Sequence, residues 1–258
     1  MSNGQVHLSV QDGIASVLID RPEARNAMTW SMYEELANIC AKIGQDPSIR
    51  VATFRGAGGA AFVAGTDIEQ FRDFKGAEDG IAYEKAIDER MQQLARLPMP
   101  TVAIIDGWAI GGGLAIAAAC DFRVAATQAS FGVPIARTLG NCLSIANLAG
   151  VVAHFGVPRA KRMLLLGETI GAEEAKACGF VTDIAEPDEL EAKARALCER
   201  LLKNAPVTMR VSKEGIRRIV AAGLPDGEDL IRETYGSRDF KIGVEAFLEK
   251  TRPVWTGS

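Results

Sequence analysis

The chain contains Gly107-Trp-Ala-Ile-Gly-Gly-Gly-Leu-Ala-Ile-Ala-Ala-Ala-Cys-Asp121, a stretch that passes through three glycines into an alanine-rich segment typical of a core helix. A second glycine-bearing stretch, Ala61-Phe-Val-Ala-Gly-Thr-Asp-Ile68, enters an amphipathic segment. Each stretch can present a backbone N–H at a helix start, and two such donors that converge on one point would hold a developing oxyanion. The pair therefore indicates the electrostatic half of a catalytic site.

The segments before these stretches alternate between strand and helix patterns. Residues 6–20 read as a β-hairpin around a turn at residues 11–13. Apolar residues then recur at helical spacing over residues 32–43, and a strand pattern follows at residues 51–54. This order of strand, helix and strand is typical of a parallel crossover, so the sequence predicts an α/β fold.

The first stretch ends in Thr66-Asp-Ile-Glu69, which has the Ser/Thr-x-x-Glu form of a capping box. It predicts a helix whose free N–H groups point back towards Ala64 and Gly65. A longer helix over residues 83–94 then leads to a strand at residues 101–105 and to the second stretch.

After about Glu186 the pattern becomes almost entirely helical. We therefore divide the chain into a core with the site, residues 1–186, and a helical C-terminal region, residues 187–258. The apolar stripe of this region includes Val207, Val211, Ile216 and Ile219. Such a stripe needs a surface to cover, either another subunit, which we favour, or the core of its own chain.

Charge and composition exclude several classes of protein. The formal net charge is −4 with both signs scattered along the chain, which gives no reason to expect a nucleic-acid partner. The longest apolar region, residues 108–120, is shorter than the ~20 residues that span a bilayer, so no membrane partner is expected. The N-terminus has neither a basic start nor an apolar run, so we expect no secretory signal and a cytoplasmic location.

Cofactor and metal motifs are also missing from the sequence. The five cysteines are widely spaced and contain no C-x-x-C pair, which argues against a disulfide framework and a zinc site. His7 and His154 are too far apart along the chain to predict a metal pair. No glycine motif of the dinucleotide or P-loop type occurs where a strand meets a helix, so no redox cofactor is expected.

Five blocks in one order carry a resemblance along almost the whole chain. They are Asp20-Arg-Pro-Glu-Ala-Arg-Asn-Ala-Met28, residues 61–68, residues 107–121, Leu166-Gly-Glu-Thr-Ile-Gly-Ala-Glu-Glu-Ala-Lys-Ala-Cys-Gly-Phe-Val181 and Phe247-Leu-Glu-Lys-Thr-Arg-Pro253. With these blocks the chain resembles the enoyl-CoA hydratase/isomerase (crotonase) superfamily. The resemblance implies a crotonase-like (ClpP-type) spiral of ββα units, a C-terminal helical trimerisation region, homotrimers or hexamers, and an acyl-CoA thioester as ligand with no further cofactor.

The resemblance also assigns site residues. Carried over residue by residue, it places the oxyanion hole on the backbone N–H groups of Ala64 and Gly112. The positions that it assigns to CoA and substrate binding are Arg25, Ala27, Ala64, Gly65, Thr66, Asp67, Ile68, Gly111 and Gly112. Arg25 and Ala27 would meet the nucleotide end. Ordinary turn and packing duty is the competing explanation for the glycines.

The chain departs from the family where hydratases carry two glutamates. These positions hold Ala115 and, after Phe131-Gly-Val-Pro134, Ile135, or Ala136 if the longer loop shifts the match. None of these side chains can move a proton. Each acid/base group is worth about 10² to 10⁴ in rate, so we expect conventional hydration to be reduced by roughly 10⁴-fold or more.

The loop over residues 137–142 holds the replacements that the sequence suggests. Cys142, expected to open a helix, lies near the position of a nucleophilic carboxylate in a dehalogenase-like branch of the family, although a lone cysteine that opens a helix is more often inert packing. Arg137 has the fork geometry that holds a substrate carboxylate, or it is a solvated surface arginine. Asp67 and Glu69 lie closest in sequence to the presumed oxyanion hole, where helix capping is the competing role.

Three functions follow. The first is an acyl-CoA-processing enzyme of the enoyl-CoA hydratase/isomerase type, which stabilises a thioester enolate in a backbone oxyanion hole. The second is another reaction on the same fold, namely decarboxylation, thioester hydrolysis or isomerisation. The third is a non-catalytic acyl-CoA-binding protein.

Overall fold

The predicted N-terminal hairpin begins the larger of two sheets in the computed structural model, which describes residues 3–257. Strands β1, Gln5–Gln11, and β2, Ile14–Asp20, pair antiparallel with Gln11 opposite Ile14. Asp12 and Gly13 form the turn with φ of 51° and 77°. Positive φ at both central residues is the geometry that matches the twist of a two-residue hairpin.

Within residues 3–257, ten strands form a sheet of six and a sheet of four. The other eight are β3 Val51–Gly56, β4 Ala61–Val63, β5 Thr101–Ile105, β6 Trp108–Ile110, β7 Phe122–Ala126, β8 Ser130–Gly132, β9 Thr169–Gly171 and β10 Asp183–Ala185. The larger sheet has the order β1-β2-β3-β5-β7-β10 and is parallel from β2 onward. The smaller sheet has the order β4-β6-β8-β9, with only β9 antiparallel. The predicted α/β class is confirmed.

In the part of the chain that the structure describes, ten α-helices cover the sheets and form the C-terminal part. They are α1 Trp30–Gln45, α2 Ala77–Ala95, α3 Gly112–Ala119, α4 Ile135–Thr138, α5 Ile145–Leu165, α6 Ala172–Ala177, α7 Leu190–Leu202, α8 Pro206–Ala221, α9 Glu228–Gly236 and α10 Arg238–Glu249. No helix among residues 3–257 combines the length and the apolar character needed to cross a membrane.

Some of the C-terminal helices pack on the rest of their own chain, and one leaves its apolar side chains exposed. Helix α7 packs on the larger sheet, with Leu190 and Cys198 buried against strand residues such as Val102. Helix α9 packs on α2, and α10 packs on α9 and on the 3-10 turn Ile68–Phe71, through a cluster that includes Tyr235 and Phe240. The division of the chain after residue 186 stays a prediction.

Helix α8 does not bury its stripe. Val207, Val211, Ile216 and Ile219 are each at least 61% exposed. Covering by the chain's own core, the alternative considered for this region, therefore applies to α7, α9 and α10 and not to α8.

Candidate active site

Thr66 does not cap a helix. Its Oγ1 lies 2.9 Å from the Tyr33 hydroxyl and 3.0 Å from the Tyr83 hydroxyl. The N-cap is Asp67, whose side chain accepts a hydrogen bond from the Glu69 N–H, and only a single 3-10 turn, Ile68–Phe71, follows. The predicted capping box is wrong, because tyrosines from α1 and α2 engage the threonine hydroxyl.

Asp67 also ties this turn to the loop after the hairpin. Its Oδ2 accepts a hydrogen bond from Arg21 Nη1 at 2.7 Å, and both side chains are largely buried. Buried Asn26 accepts from the Arg21 N–H and donates to the carbonyls of Ala57 and Ala61. The structure thus brings the loop containing Arg25 and Ala27 against residues 64–68, as the assignment of both segments to one CoA site requires.

The N–H of Ala64, one of the two predicted oxyanion donors, is already engaged. It donates to the Arg25 carbonyl at 3.1 Å. Met28 continues this contact as a parallel bridge to Thr66: its N–H donates to the Gly65 carbonyl, and its carbonyl accepts from the Asp67 N–H. These two bonds flank Thr66, so the N–H of Thr66 points away from Met28. Thr66, two residues beyond Ala64, is the better placed donor.

Gly112 is the second predicted donor and begins α3. The first N–H groups of an α-helix have no partner within the helix. Gly111, with φ of 53°, turns the chain into α3 while its own N–H donates to the Gly132 carbonyl. A β-carbon at Gly112 would overlap the Tyr33 hydroxyl and lie 3.7 Å from the Thr66 nitrogen. The two glycine-bearing segments therefore approach each other at Gly112 and Thr66, and Thr66 rather than Ala64 lies opposite Gly112.

A cavity of about 910 Å³ lies between α2, α3, α5 and α8 and reaches Gly111, the residue before Gly112. Gly111 and Ala115 line it from α3 and the turn before it, and Val133 and Leu143 from the following segments. It is wide enough for a drug-sized ligand, since such pockets span roughly 300 to 1,000 Å³. Because Ala115 lines the cavity, α3 contributes no proton-transfer group at the position of the first family glutamate.

Neither Arg137 nor Cys142 is among the described residues that line the cavity. Arg137 lies in α4 with an exposed side chain beside Gly167. Cys142 does not open a helix as expected, because Ser144 is the N-cap of α5 and Cys142 precedes it in a loop. Burial raises the pKa of the Cys142 thiol to about 11, so it is protonated at neutral pH. The two assigned catalytic side chains are therefore not brought to the cavity.

Helix α2 carries a pair of carboxyl groups that was not predicted from the sequence. Buried Glu84 accepts from the Tyr235 hydroxyl at 2.7 Å and from the Ser144 N–H at 3.0 Å. One turn later, half-buried Asp88 lines the cavity and accepts from Ser144 Oγ at 2.7 Å and Asn147 Nδ2 at 3.0 Å. Burial raises the pKa of Glu84 to about 7, and it also raises the pKa of Asp88.

A signal for this pair was present in the sequence. Glu84 and Asp88 are four residues apart and therefore lie on one face of a helix. They flank the apolar positions Ile87 and Met91, which were used to predict α2. Carboxyl groups beside a buried stripe are uncommon unless they have partners. Their partners come from residues 144, 147 and 235, which the sequence alone does not bring to α2.

His154 is a further titratable residue that lines the cavity. Its Nε2 lies 3.2 Å from the Ala118 carbonyl, and its ring packs edge-on against Phe180. Burial, assisted by the charge of Arg123, lowers the pKa of His154 to about 4. The imidazole is therefore neutral near pH 7 and a weak base.

The chain is similar to known proteins along almost its whole length. The family model for enoyl-CoA hydratase/isomerase matches residues 9–258. Enoyl-CoA hydratase domain-containing protein 2, mitochondrial, of Bos taurus is 34% identical over 95% of this chain and 85% of its own length. (E)-benzylidenesuccinyl-CoA hydratase of Thauera aromatica is 33% identical over 98% of this chain and 99% of its own.

Solved structures give the same result for the fold. An enoyl-CoA hydratase/carnithine racemase from Magnetospirillum magneticum superposes with a TM-score of 0.80 at 33% identity, over 98% of this chain and 96% of that one. A methylmalonyl-CoA decarboxylase in complex with 2S-carboxypropyl-CoA reaches a TM-score of 0.90 over 100% of both chains. At 23% identity, the second match supports the fold alone. The predicted spiral fold is confirmed.

Proposed function

The chain belongs to the enoyl-CoA hydratase/isomerase family, and we propose that it stabilises the enolate of an acyl-CoA thioester between two backbone N–H groups. The donors are those of Gly112 and Thr66, with Thr66 taking the place first assigned to Ala64. The observation that carries the proposal is the approach of Thr66 to the start of α3 beside a large cavity.

Backbone donors suit this reaction because they are fixed and uncharged before the thioester oxygen gains charge. The acyl chain would occupy the cavity beside Ala115 and Leu143. The CoA moiety would follow the two joined segments, the loop with Arg25 and Ala27 and residues 64–68. No cofactor beyond this CoA moiety is proposed.

Conventional hydration is not the reaction that the site favours. Hydration needs one group to activate water and a proton donor for the α-carbon, and Ala115 and Ile135 supply neither. Losing both groups removes roughly 10⁴-fold or more in rate. Isomerisation, decarboxylation and thioester hydrolysis share the enolate or oxyanion and make smaller demands on paired glutamates, so we propose one of these in place of hydration.

Calorimetric titration with a short-chain acyl-CoA tests the proposal directly. We expect saturable binding below millimolar concentration, and weaker binding of the free acid that lacks CoA. Absence of acyl-CoA binding at millimolar concentration would refute the function. Tight binding without turnover across a panel of saturated, unsaturated and branched acyl-CoAs would instead favour the non-catalytic alternative.

We also propose that the exposed stripe of α8 joins copies of the chain into a homotrimer or a hexamer of two trimers. Sedimentation velocity should then give three or six times the chain mass of 27.6 kDa. Ile219→Glu places a charge in the stripe and should lower the mass, because burying an unpaired charge at an interface is costly. Ala192→Glu, on an exposed position of α7, is the control that should leave the mass unchanged. A wild-type protein of single-chain mass would contradict this assembly.

A further inference from the structure

Asp88 combines a fixed carboxyl group with one unengaged oxygen at the cavity. Both hydrogen bonds that it receives, from Ser144 Oγ and Asn147 Nδ2, go to Oδ1. Within residues 3–257, no hydrogen bond to Oδ2 is formed. Asp88 and Asn147 line the same cavity as Gly111 and Ala115. A half-buried carboxylate held at one oxygen presents the other oxygen in a defined direction.

We propose that Asp88 is the proton-transfer residue of this enzyme and replaces, from α2, the glutamates that are absent at Ala115 and Ile135. The inference rests on the proposed function, because it requires an acyl-CoA whose thioester oxygen is held by the N–H groups of Gly112 and Thr66.

The step that we assign to Asp88 is reversible removal of the α-proton. Asp88 Oδ2 takes the proton from the α-carbon, and the electron pair of the broken C–H bond moves into the thioester to give an enolate. The enolate oxygen accepts hydrogen bonds from the two backbone N–H groups. The protonated Asp88 then returns a proton to the carbon skeleton, so atoms and charge balance without an oxidant or a further reactant.

Ser144 positions Asp88 and links it to Glu84. As the N-cap of α5, Ser144 accepts from the Asn147 N–H while its hydroxyl donates to Asp88 and its N–H donates to Glu84. Tyr235 holds the other oxygen of Glu84. This network fixes the Asp88 side chain between α2 and α5, and partial burial raises its pKa, which makes it a stronger base than an exposed aspartate.

The other titratable cavity residues fit the role less well. Asp121, the second carboxylate among the described lining residues, pairs with Lys213 at 2.7 Å and accepts from the Thr101 N–H and hydroxyl. All of these bonds go to Asp121 Oδ2, so this carboxylate is already engaged by structural partners. His154 has a pKa of about 4 and its Nε2 lies against the Ala118 carbonyl.

Exchange of α-hydrogen for deuterium tests the assignment without knowledge of the natural substrate. The enzyme is incubated with butyryl-CoA in D₂O, and deuterium in the thioester is followed by mass spectrometry. We expect the wild type to catalyse exchange and Asp88→Asn to lower the rate by about 10²-fold or more. The asparagine keeps an acceptor oxygen for Ser144 and Asn147, so folding and the calorimetric affinity for butyryl-CoA should be retained.

Two further variants separate chemistry from structure. Asp88→Glu restores a carboxylate and should recover part of the exchange rate, whereas Glu89→Gln makes the same change of charge at an exposed neighbouring position and should have no effect. Exchange by Asp88→Asn at the wild-type rate would overturn the assignment and leave the proposed function intact. A wild type that binds butyryl-CoA without exchange would overturn both Asp88 and the enolate, but not acyl-CoA binding.

Discussion

In a Tyr33→Phe background, Gly112→Pro is expected to lower the rate of α-hydrogen exchange about 10² to 10³-fold relative to Gly112→Ala. This is the loss measured when one donor of an oxyanion hole is removed. Proline lacks the N–H that we assign to the thioester oxygen, and it is tolerated at the first position of a helix, where that N–H has no helical partner.

The background mutation and the alanine comparison isolate the missing donor. Any β-carbon at Gly112 would overlap the Tyr33 hydroxyl, so this hydroxyl is removed in both variants. Proline and alanine then share the added β-carbon and differ in the N–H group. Exchange rates and calorimetric affinities for butyryl-CoA are measured for both. Equal exchange rates would show that the Gly112 N–H does not stabilise the enolate.

The same logic separates Thr66 from Ala64. The Ala64 N–H is bonded to the Arg25 carbonyl, whereas the bridge to Met28 leaves the Thr66 N–H facing away from the loop. The sequence indicates that a donor lies in this stretch, because glycine precedes a turn that exposes N–H groups. Which N–H is free depends on pairing with a loop almost 40 residues earlier in the chain, and no local pattern encodes that pairing.

Local patterns were sufficient for the hairpin and for most helices. The Asp12-Gly13 turn and the spacing of Met32, Leu36 and Ile43 each specify their element within a few residues, and the structure confirms them. The capping box at Thr66 failed for the opposite reason. Its sequence form is local, but the threonine hydroxyl finds partners on α1 and α2, which removes it from the helix start.

The carboxyl pair on α2 marks the limit of the sequence reasoning about the site. The sequence shows that positions 115 and 135 hold Ala115 and Ile135 and no glutamate. The loop at residues 137–142 was predicted to supply the replacements because it is nearby along the chain. In the folded protein residues 137–142 do not line the cavity. The proton-transfer group that we propose is Asp88 on α2, some 50 residues earlier in the chain.

Protonation of Glu84 makes the stability of the fold depend on pH. Its pKa in the folded protein is about 7, against an ordinary value of 4.5, and burial is the main cause. Because the folded state binds this proton more tightly than the unfolded state, protonation of Glu84 contributes to the free energy of unfolding, and this contribution is fully present below pH 4.5. This contribution is lost as the pH rises through about 7. The groups that face Glu84 are Tyr235 and Ser144, with Asp88 as the neighbouring acid.

Glu84→Gln should remove this loss, because glutamine stays neutral: its amide oxygen can accept from the Ser144 N–H while its NH2 group donates to the Tyr235 hydroxyl oxygen. Between pH 5 and pH 8 the free energy of unfolding of the wild type should therefore fall by about 2 to 3 kcal/mol more than that of the variant. Urea unfolding at a fixed protein concentration, at both pH values, measures the difference. Glu89→Gln on the exposed face of α2 should follow the wild type. If the wild type and Glu84→Gln changed in parallel with pH, burial would not raise the pKa of Glu84, and its carboxyl group would already be largely ionised at pH 5 in the folded protein.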